Sequence, residues 1–254
     1  MMRVRFPPTL RRAAAGLEGD AEFRQRALAL WLPERASQVL CVIYGQSRLP
    51  LVLAEDATVL YLRGLDEGWA RSLRDEASAR GWNAVRVLPT EGALSLAGVT
   101  LDAGVVLGMP LSLPRRPPPA DVSGFIQRIR ESYEALRPGG ILVVGWETPV
   151  GVLAAGRGSR SVWSAARWSR AVGARVRAVL HSLAPRRSEL IHVYPNLSRP
   201  TLLAPRRSSA GLKRLALGHA GRLRWRAAVR MLAPFGWVFL PDLLPTALLW
   251  RLEK

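Results

Sequence analysis

Cysteine and histidine are scarce in this sequence. Of its 254 residues, one is cysteine, Cys41, and three are histidine. A single cysteine excludes an intramolecular disulfide and most cysteine-based metal sites, and it suits a reducing compartment. The histidines, His181, His192 and His219, lack the close spacing of metal ligands. The sequence therefore predicts no metal cofactor.

Signals for export or for crossing a membrane are also missing. The arginines near the N-terminus are not followed by an apolar segment, so we identify no signal peptide. The most apolar stretch, 231–250, contains Asp242 and three prolines, which disfavour a spanning helix. We expect a cytoplasmic protein, with a peripheral position at the membrane as the alternative.

Acidic residues are almost absent from one long segment. Residues 155–230 contain 17 lysines and arginines and one acid, Glu189, whereas the rest of the chain has 20 basic and 18 acidic residues. The net charge of +18 is therefore concentrated in this segment. Its interleaved tryptophans favour RNA as a partner, because aromatic rings stack on bases while guanidinium groups bind phosphates. An anionic membrane surface and a merely solvated helix surface are the alternatives.

Short β-rich apolar runs alternate with helical patterns before residue 150. Strands are predicted at 39–44, 58–62, 84–88, 101–107 and 141–144, and helices at 21–32, 49–54, 65–80 and up to 136. Such alternation is typical of an α/β protein with a doubly wound, mostly parallel sheet.

The second half follows a different pattern. It predicts helices at 161–183 and 212–232, a joining segment at 185–207, and closing strands at 236–240 and 247–252. We therefore divide the chain into an N-terminal helical segment (1–36), an α/β core (37–150), a basic helical insertion (151–232) and closing strands (233–254).

A helix-to-strand junction anchors the first half. Its sequence is Leu-Arg-Pro-Gly-Gly at 136–140, followed by the apolar run 141–144. Pro138 cannot continue a helix, and the two glycines accept left-handed backbone angles. An apolar strand beginning Leu-Asp lies upstream at 101–108. These features resemble a class I S-adenosylmethionine-dependent methyltransferase over residues 20–146 and 236–254, and the resemblance implies a Rossmann-like sheet.

The resemblance also implies a cofactor site at the carboxyl ends of the strands. Its predicted residues are Cys41, Gly45, Arg63, Asp66, Glu91 and Gly108. Cys41 stands where the family has an acidic residue, and Ile43 and Ser47 stand where it has glycines. Arg63 replaces the acid that binds the ribose hydroxyls. The resemblance thus implies S-adenosylmethionine as cofactor, in a site that is either altered or degenerate.

Three further residues are candidates for binding a methyl acceptor. Glu147 directly follows the fifth predicted strand, at the edge where open α/β sheets bind ligands. His192 and Tyr194 precede a Pro-Asn-Leu-Ser-Arg-Pro loop and could act as general base and hydrogen-bond partner. This loop is similar to one in methyltransferase-like proteins of glycan and lipid assembly, which implies a small-molecule or lipid-linked acceptor. A solvent-exposed Glu147 and a purely structural connector are the alternatives.

Two functional hypotheses follow from the sequence. The first is methyl transfer from S-adenosylmethionine to an acceptor that the sequence does not identify. The alternative is a catalytically inactive scaffold that binds RNA or an acidic partner through residues 155–230.

Overall fold

The structure is a computed structural model. It describes residues 28–29, 31–33, 36–43, 47–64, 67–82, 84–89, 92, 94, 96, 98–108, 119–147, 173–194, 202–205 and 247–254. The strands are β1 (Gln38–Ile43), β2 (Val59–Gly64), β3 (Val85–Val87), β4 (Leu101–Gly108), β5 (Leu136–Glu147), β6 (Arg187–Tyr194), β7 (Leu202–Pro205) and β8 (Ala247–Glu253). The helices are α1 (Leu49–Asp56), α2 (Glu67–Ala79) and α3 (Pro119–Glu134), and residues 173–182 are also helical.

The strands form one sheet of eight, in the order β3-β2-β1-β4-β5-β8-β6-β7. The first five strands are mutually parallel, and β8 runs antiparallel between β5 and β6. This arrangement confirms the predicted doubly wound, mostly parallel sheet. Because β5 and β6 are both antiparallel to β8, they run in the same direction, and their carboxyl ends share one edge.

Apolar residues cover both faces of the sheet, as parallel strands require. One face packs against α1 and α2 through buried residues such as Leu49 and Leu73. The other packs against α3 and the 173–182 helix through residues such as Phe125, Ile129 and Val179. Among the described residues, the sheet therefore forms the middle of three layers.

The Pro-Gly-Gly sequence lies inside a strand, not between a helix and a strand. The helix α3 ends at Glu134, before the predicted end at residue 136, and β5 already begins at Leu136, so 138–140 is an irregular part of β5 where its register against β4 shifts. Gly139 still has φ of 77°, in the left-handed region that the sequence predicts, and a Cβ on Gly140 would lie 2.9 Å from the Arg137 carbonyl oxygen. Both glycines also bond to Lys254, since the Gly139 amide donates to its carbonyl and the Lys254 amide donates to that of Gly140. These bonds hold the start of β5 to the end of the last strand.

Asp102 fastens two strands at the amino-terminal edge of the sheet. Its Oδ2 accepts hydrogen bonds from the amides of Ser37 and Gln38, at 2.8 and 2.9 Å. Its Oδ1 lies 2.8 Å from the Arg137 Nε. The carboxylate therefore fixes the start of β1 against β4 and β5, at the edge opposite the predicted ligand site.

The structure adds two strands to the segment that the sequence assigned to a helical insertion. Within 151–232, residues 173–182 are helical, but β6 and β7 both lie within the predicted joining segment 185–207. The cause is the two-residue period of apolar side chains in β6, where Ile191 and Val193 are both fully buried in the core. The predictions for 151–172, 206–232 and 236–240, and for most of the helix at 21–32, lie outside the described residues.

Candidate functional site

The candidate site lies at the carboxyl edge of the parallel strands. The strand order reverses between β1 and β4, since β2 and β3 continue to one side and β5 to the other. Open α/β sheets bind ligands in the crevice at such a reversal. Ile43, the last residue of β1, pairs with Gly64 of β2 and with Leu107 of β4. The strand ends therefore stand level and form a continuous rim.

Arg63 is a buried charged residue at this rim. Only 3% of it is exposed, and its Nη2 donates a 2.7 Å hydrogen bond to the carbonyl oxygen of Gly92. Gly92 has φ of 81°, in the left-handed region, and it follows β3 in the chain. The guanidinium group thus ties the end of β2 to the loop after β3. At the position that the family resemblance gives to a ribose-binding acid, this chain presents hydrogen-bond donors.

Cys41 lies deeper, in the middle of β1. It is fully buried among apolar side chains that include Ile43 and Leu62. Burial raises the pKa of its thiol from 9.0 to about 12, so the sulfur is neutral at physiological pH. The family resemblance expects an acid at this position, and a neutral thiol does not supply the negative charge of a carboxylate. The part of Cys41 in cofactor binding stays a prediction.

Gly108 is the last residue of β4 and lies at the rim, where it contacts the helix that packs beneath the candidate site. A Cβ at this residue would lie 2.4 Å from Cε2 of Phe125, whose ring is fully buried. Glycine is therefore required here so that α3 can pack against the end of β4. This requirement accounts for the glycine without any ligand, and a contact between Gly108 and a cofactor stays a prediction.

Ser47 has a structural role where the related family has a glycine. Its Oγ accepts a hydrogen bond of 3.3 Å from the amide of Leu49, the first residue of α1. The next residue, Arg48, forms an ion pair with Glu76 of α2. The chain entering α1 is thus tied to the helical layer, and the serine hydroxyl satisfies the first backbone amide of the helix.

The candidate acceptor residues lie at the same edge of the sheet, in β5 and β6, which are separated by β8. Glu147 pairs with Ala247 of β8, and Ala247 pairs with Val193 of β6. His192 and Tyr194 flank Val193 in the chain, so the backbone brings all three predicted residues to one end of the sheet. The structure supports this shared position and leaves their roles as predictions.

Trp146 is a residue of this edge that the sequence analysis missed. It pairs with Gly108 of β4, directly before Glu147, and only 3% of it is exposed. Its indole Nε1 is buried and has no hydrogen-bond partner in the described structure. A buried donor without an acceptor is costly in a protein interior. A tryptophan in a buried strand is usually a core residue, so no sequence signal distinguished it.

Some predicted features fall outside the structural description, and others have no counterpart within it. Gly45, Asp66 and Glu91 lie outside the described residues. Among those that are described, no three histidine, cysteine, aspartate or glutamate side chains are grouped to hold a metal ion. In the same part of the chain, no helix is long and apolar enough to cross a membrane.

Sequence comparison and structural comparison give different results. No known protein family and no curated protein matches the sequence. Among solved structures, the chain is similar to the N-methyltransferase NodS from Bradyrhizobium japonicum WM9 in complex with S-adenosyl-L-homocysteine. The two share 13% identity and a TM-score of 0.51, over 97% of this chain and 96% of NodS.

Two further solved structures are similar at a lower level. Cofactor-bound Rv0187 from MTB has 18% identity and a TM-score of 0.45, over 74% of this chain and 84% of that one. The cyclase SpnF has 17% identity and a TM-score of 0.43, over 97% and 92%. The likeness to NodS covers nearly the whole of both chains and agrees with the strand order described above. The chain therefore has a class I methyltransferase-like fold.

Proposed function

We propose that this protein binds S-adenosylmethionine at the carboxyl edge of β1, β2 and β4 and transfers its methyl group to an acceptor bound near β5 and β6. The observation that carries the proposal is the sheet itself, with its reversal between β1 and β4 and its level strand ends. NodS, which has the same fold, is described in complex with S-adenosyl-L-homocysteine, the product form of this cofactor.

The residues at the rim fit the nucleoside part of the cofactor, but with a hydrogen-bond donor where the family resemblance expects an acceptor. A ribose hydroxyl can accept as well as donate a hydrogen bond, so the guanidinium of Arg63 can bind it as a donor where an acid would accept. The Gly92 carbonyl already holds that guanidinium in place. Arg63 is therefore the residue that we expect to contact the ribose.

The same arginine should make this chain favour the product form of the cofactor. When bound, S-adenosylmethionine supplies an activated methyl group on a positively charged sulfur. A buried guanidinium at the same site repels that charge. S-adenosylhomocysteine has a neutral sulfur and escapes the repulsion. Arg63 should therefore raise the affinity for S-adenosylhomocysteine relative to that for S-adenosylmethionine.

Methyl transfer needs few specialised side chains. The donor and the acceptor have to be held in line, and positioning supplies most of the rate. Glu147, His192 and Tyr194 lie on the acceptor side of the edge, so they are the residues that we expect to orient the acceptor. A small-molecule or lipid-linked acceptor stays our proposal for its chemical class.

Isothermal titration calorimetry with the two forms of the cofactor tests the proposal. The wild-type protein should bind both, and S-adenosylhomocysteine more tightly. Arg63→Gln should weaken both and bring the two affinities closer together, because the charge is removed. Arg74→Gln is the matched control, since Arg74 is an exposed residue of α2 with an ion pair to its neighbour Asp75. Absence of binding to folded wild-type protein at high micromolar ligand would overturn the proposal.

A further inference from the structure

The arginines of this protein fall into two structural groups. Several arginines before residue 140 form ion pairs with described carboxylates: Arg48–Glu76, Arg74–Asp75, Arg80–Glu76, Arg128–Glu131 and Arg137–Asp102. The first and the last of these pairs join different elements, and the other three lie within α2 or α3, with Arg80 directly following α2. These arginines of the α/β core thus have carboxylate partners.

The second group lies on the 173–182 helix and the start of β6. Arg175, Arg177, Arg186 and Arg187 are all exposed. Within the described part of the chain, their side chains make no hydrogen bond or ion pair. Four guanidinium groups therefore face solvent on one continuous piece of chain. We call these four residues the arginine surface.

The helix that carries the arginine surface is clearly two-sided. Gly173, Val176, Val179 and Leu180 are buried, at the spacing of a helix face that packs on the sheet. Every exposed residue from 174 to 188 is arginine, alanine, serine or histidine. This outer side therefore offers positive charge and small groups, with no large apolar side chain.

We propose that the arginine surface binds the phosphodiester backbone of a single-stranded nucleic acid. Guanidinium groups match phosphate oxygens with paired hydrogen bonds, and they are less strongly hydrated than lysine. An interfacial membrane helix needs large apolar residues on its outer side, which this segment lacks. The arginine surface carries positive charge and has no large apolar side chain, so it is complementary to a hydrated polyanion.

The arginine surface reaches the edge of the sheet opposite the candidate cofactor site. The start of β6 lies at that edge, because β6 runs in the same direction as β5. There the Arg186 amide donates to the Glu253 carbonyl, and Arg187 pairs with Glu253 across the strands. Glu253 and Glu189 are the acids near this end of the surface. A nucleic acid held by Arg186 and Arg187 would contact the edge opposite the proposed methyl-transfer site, so the inference does not depend on the proposed reaction.

Fluorescence anisotropy of labelled single-stranded RNA tests the inference. For single strands, each phosphate contact adds about 0.7 to the slope of log affinity against log salt. Arg175→Gln/Arg177→Gln removes two such contacts and should therefore lower this slope by about 1.4. The loss of affinity between 50 and 200 mM salt should then be about 7-fold smaller than in the wild type. Arg186→Gln/Arg187→Gln should have a similar effect through a second, separate pair.

The matched control removes the same charge from the other layer. Arg71→Gln/Arg74→Gln changes two exposed arginines of α2, which packs on the opposite face of the sheet. It should leave the slope nearly unchanged. An equal loss in the control would show that net charge alone attracts RNA, and it would overturn the inference.

Two other probes decide between classes of partner. Vesicles containing phosphatidylserine and a polyglutamate peptide should both bind more weakly than RNA at equal salt. Preferential binding to either, or no RNA binding at 50 mM salt, would overturn the inference. Single-stranded DNA of the same sequence should bind comparably, because the contact is to the backbone. Cofactor calorimetry on the same samples reports the methyl-transfer proposal separately, so the two can fail independently.

Discussion

Replacing Gly108 by alanine should destabilise the fold by distorting the packing beneath the candidate site. The new Cβ would lie 2.4 Å from Cε2 of Phe125 and 2.8 Å from both Cδ2 and Cζ. Carbon atoms in contact prefer about 3.5–4.0 Å, so the ring would have to move by about 1 Å. Phe125 is fully buried, so a movement of its ring disturbs its packing in the core. Overpacking of this kind lowers the free energy of unfolding by about 1–3 kcal/mol. Each kcal/mol lost should lower Tm by about 2–4 °C.

Gly124→Ala is the matched control for this substitution. It makes the same chemical change one residue before Phe125, in α3, where nothing lies within 4 Å of the new Cβ. Alanine is favoured over glycine inside a helix by about 0.8–1.0 kcal/mol. The two substitutions should therefore change the free energy of unfolding in opposite directions.

Urea unfolding followed by tryptophan fluorescence measures both variants. Phe125→Leu should relieve the clash, so the double variant with Gly108→Ala should lose less stability than the sum of the two single variants. Coupling energies between contacting residues are about 0.5–3 kcal/mol. Wild-type stability of Gly108→Ala, or strict additivity in the double variant, would refute the packing argument.

The same double variant separates the two roles that Gly108 could have. If the glycine serves only to admit Phe125, the relieved double variant should bind S-adenosylhomocysteine as the wild type does. If the cofactor also approaches Gly108, binding should stay weak although stability has recovered. Calorimetry on the double variant therefore tests the predicted cofactor contact directly.

Two further predictions concern Asp102 and Cys41. Asp102→Ala removes the acceptor of two backbone amides and should destabilise the protein by about 1–3 kcal/mol in urea unfolding. The control Asp75→Ala should change the stability little, because the Asp75 side chain is 67% exposed. An effect of the same size at both positions would contradict the role of Asp102 in fastening β1. Because the Cys41 pKa is about 12 in the folded protein against 9.0 ordinarily, only the unfolded state releases this proton between those pH values, so stability should fall there by about 1.4 kcal/mol per pH unit. Cys41→Ala should flatten that part of the pH–stability profile, and an unchanged profile would contradict the burial argument.

The order of strands and helices in the first 150 residues could be predicted from sequence because its signals are local. Apolar runs of four to six residues, a helix stop and a pair of glycines each act within a few positions of the chain. Strand β6 was missed for the same reason. Its Ile-His-Val-Tyr run is short, and only its pairing with β8 on one side and β7 on the other identifies it as a strand.

The candidate site was harder to predict because its residues act across long separations. Arg63 could be placed at the ribose position from the family resemblance. Its bond to the Gly92 carbonyl, 29 residues away, depended on where the loop after β3 lies. Trp146 carried no signal of its own, since its buried indole donor is defined by neighbours that the sequence does not reveal.

The sequence by itself determined the fold class, the edge where a ligand would bind and the concentration of positive charge in one segment. These properties follow from residue type and spacing, which the chain displays directly. Only the tertiary structure decided what individual residues do. It showed that Gly108 makes room for Phe125 and that Asp102 fastens β1 from 64 and 65 residues away. Among the described residues, it also showed that the four arginines of the arginine surface have no partner, whereas arginines of the core such as Arg137 form ion pairs. Such roles depend on which side chains meet when the layers pack, and contact across layers is a property of three-dimensional arrangement.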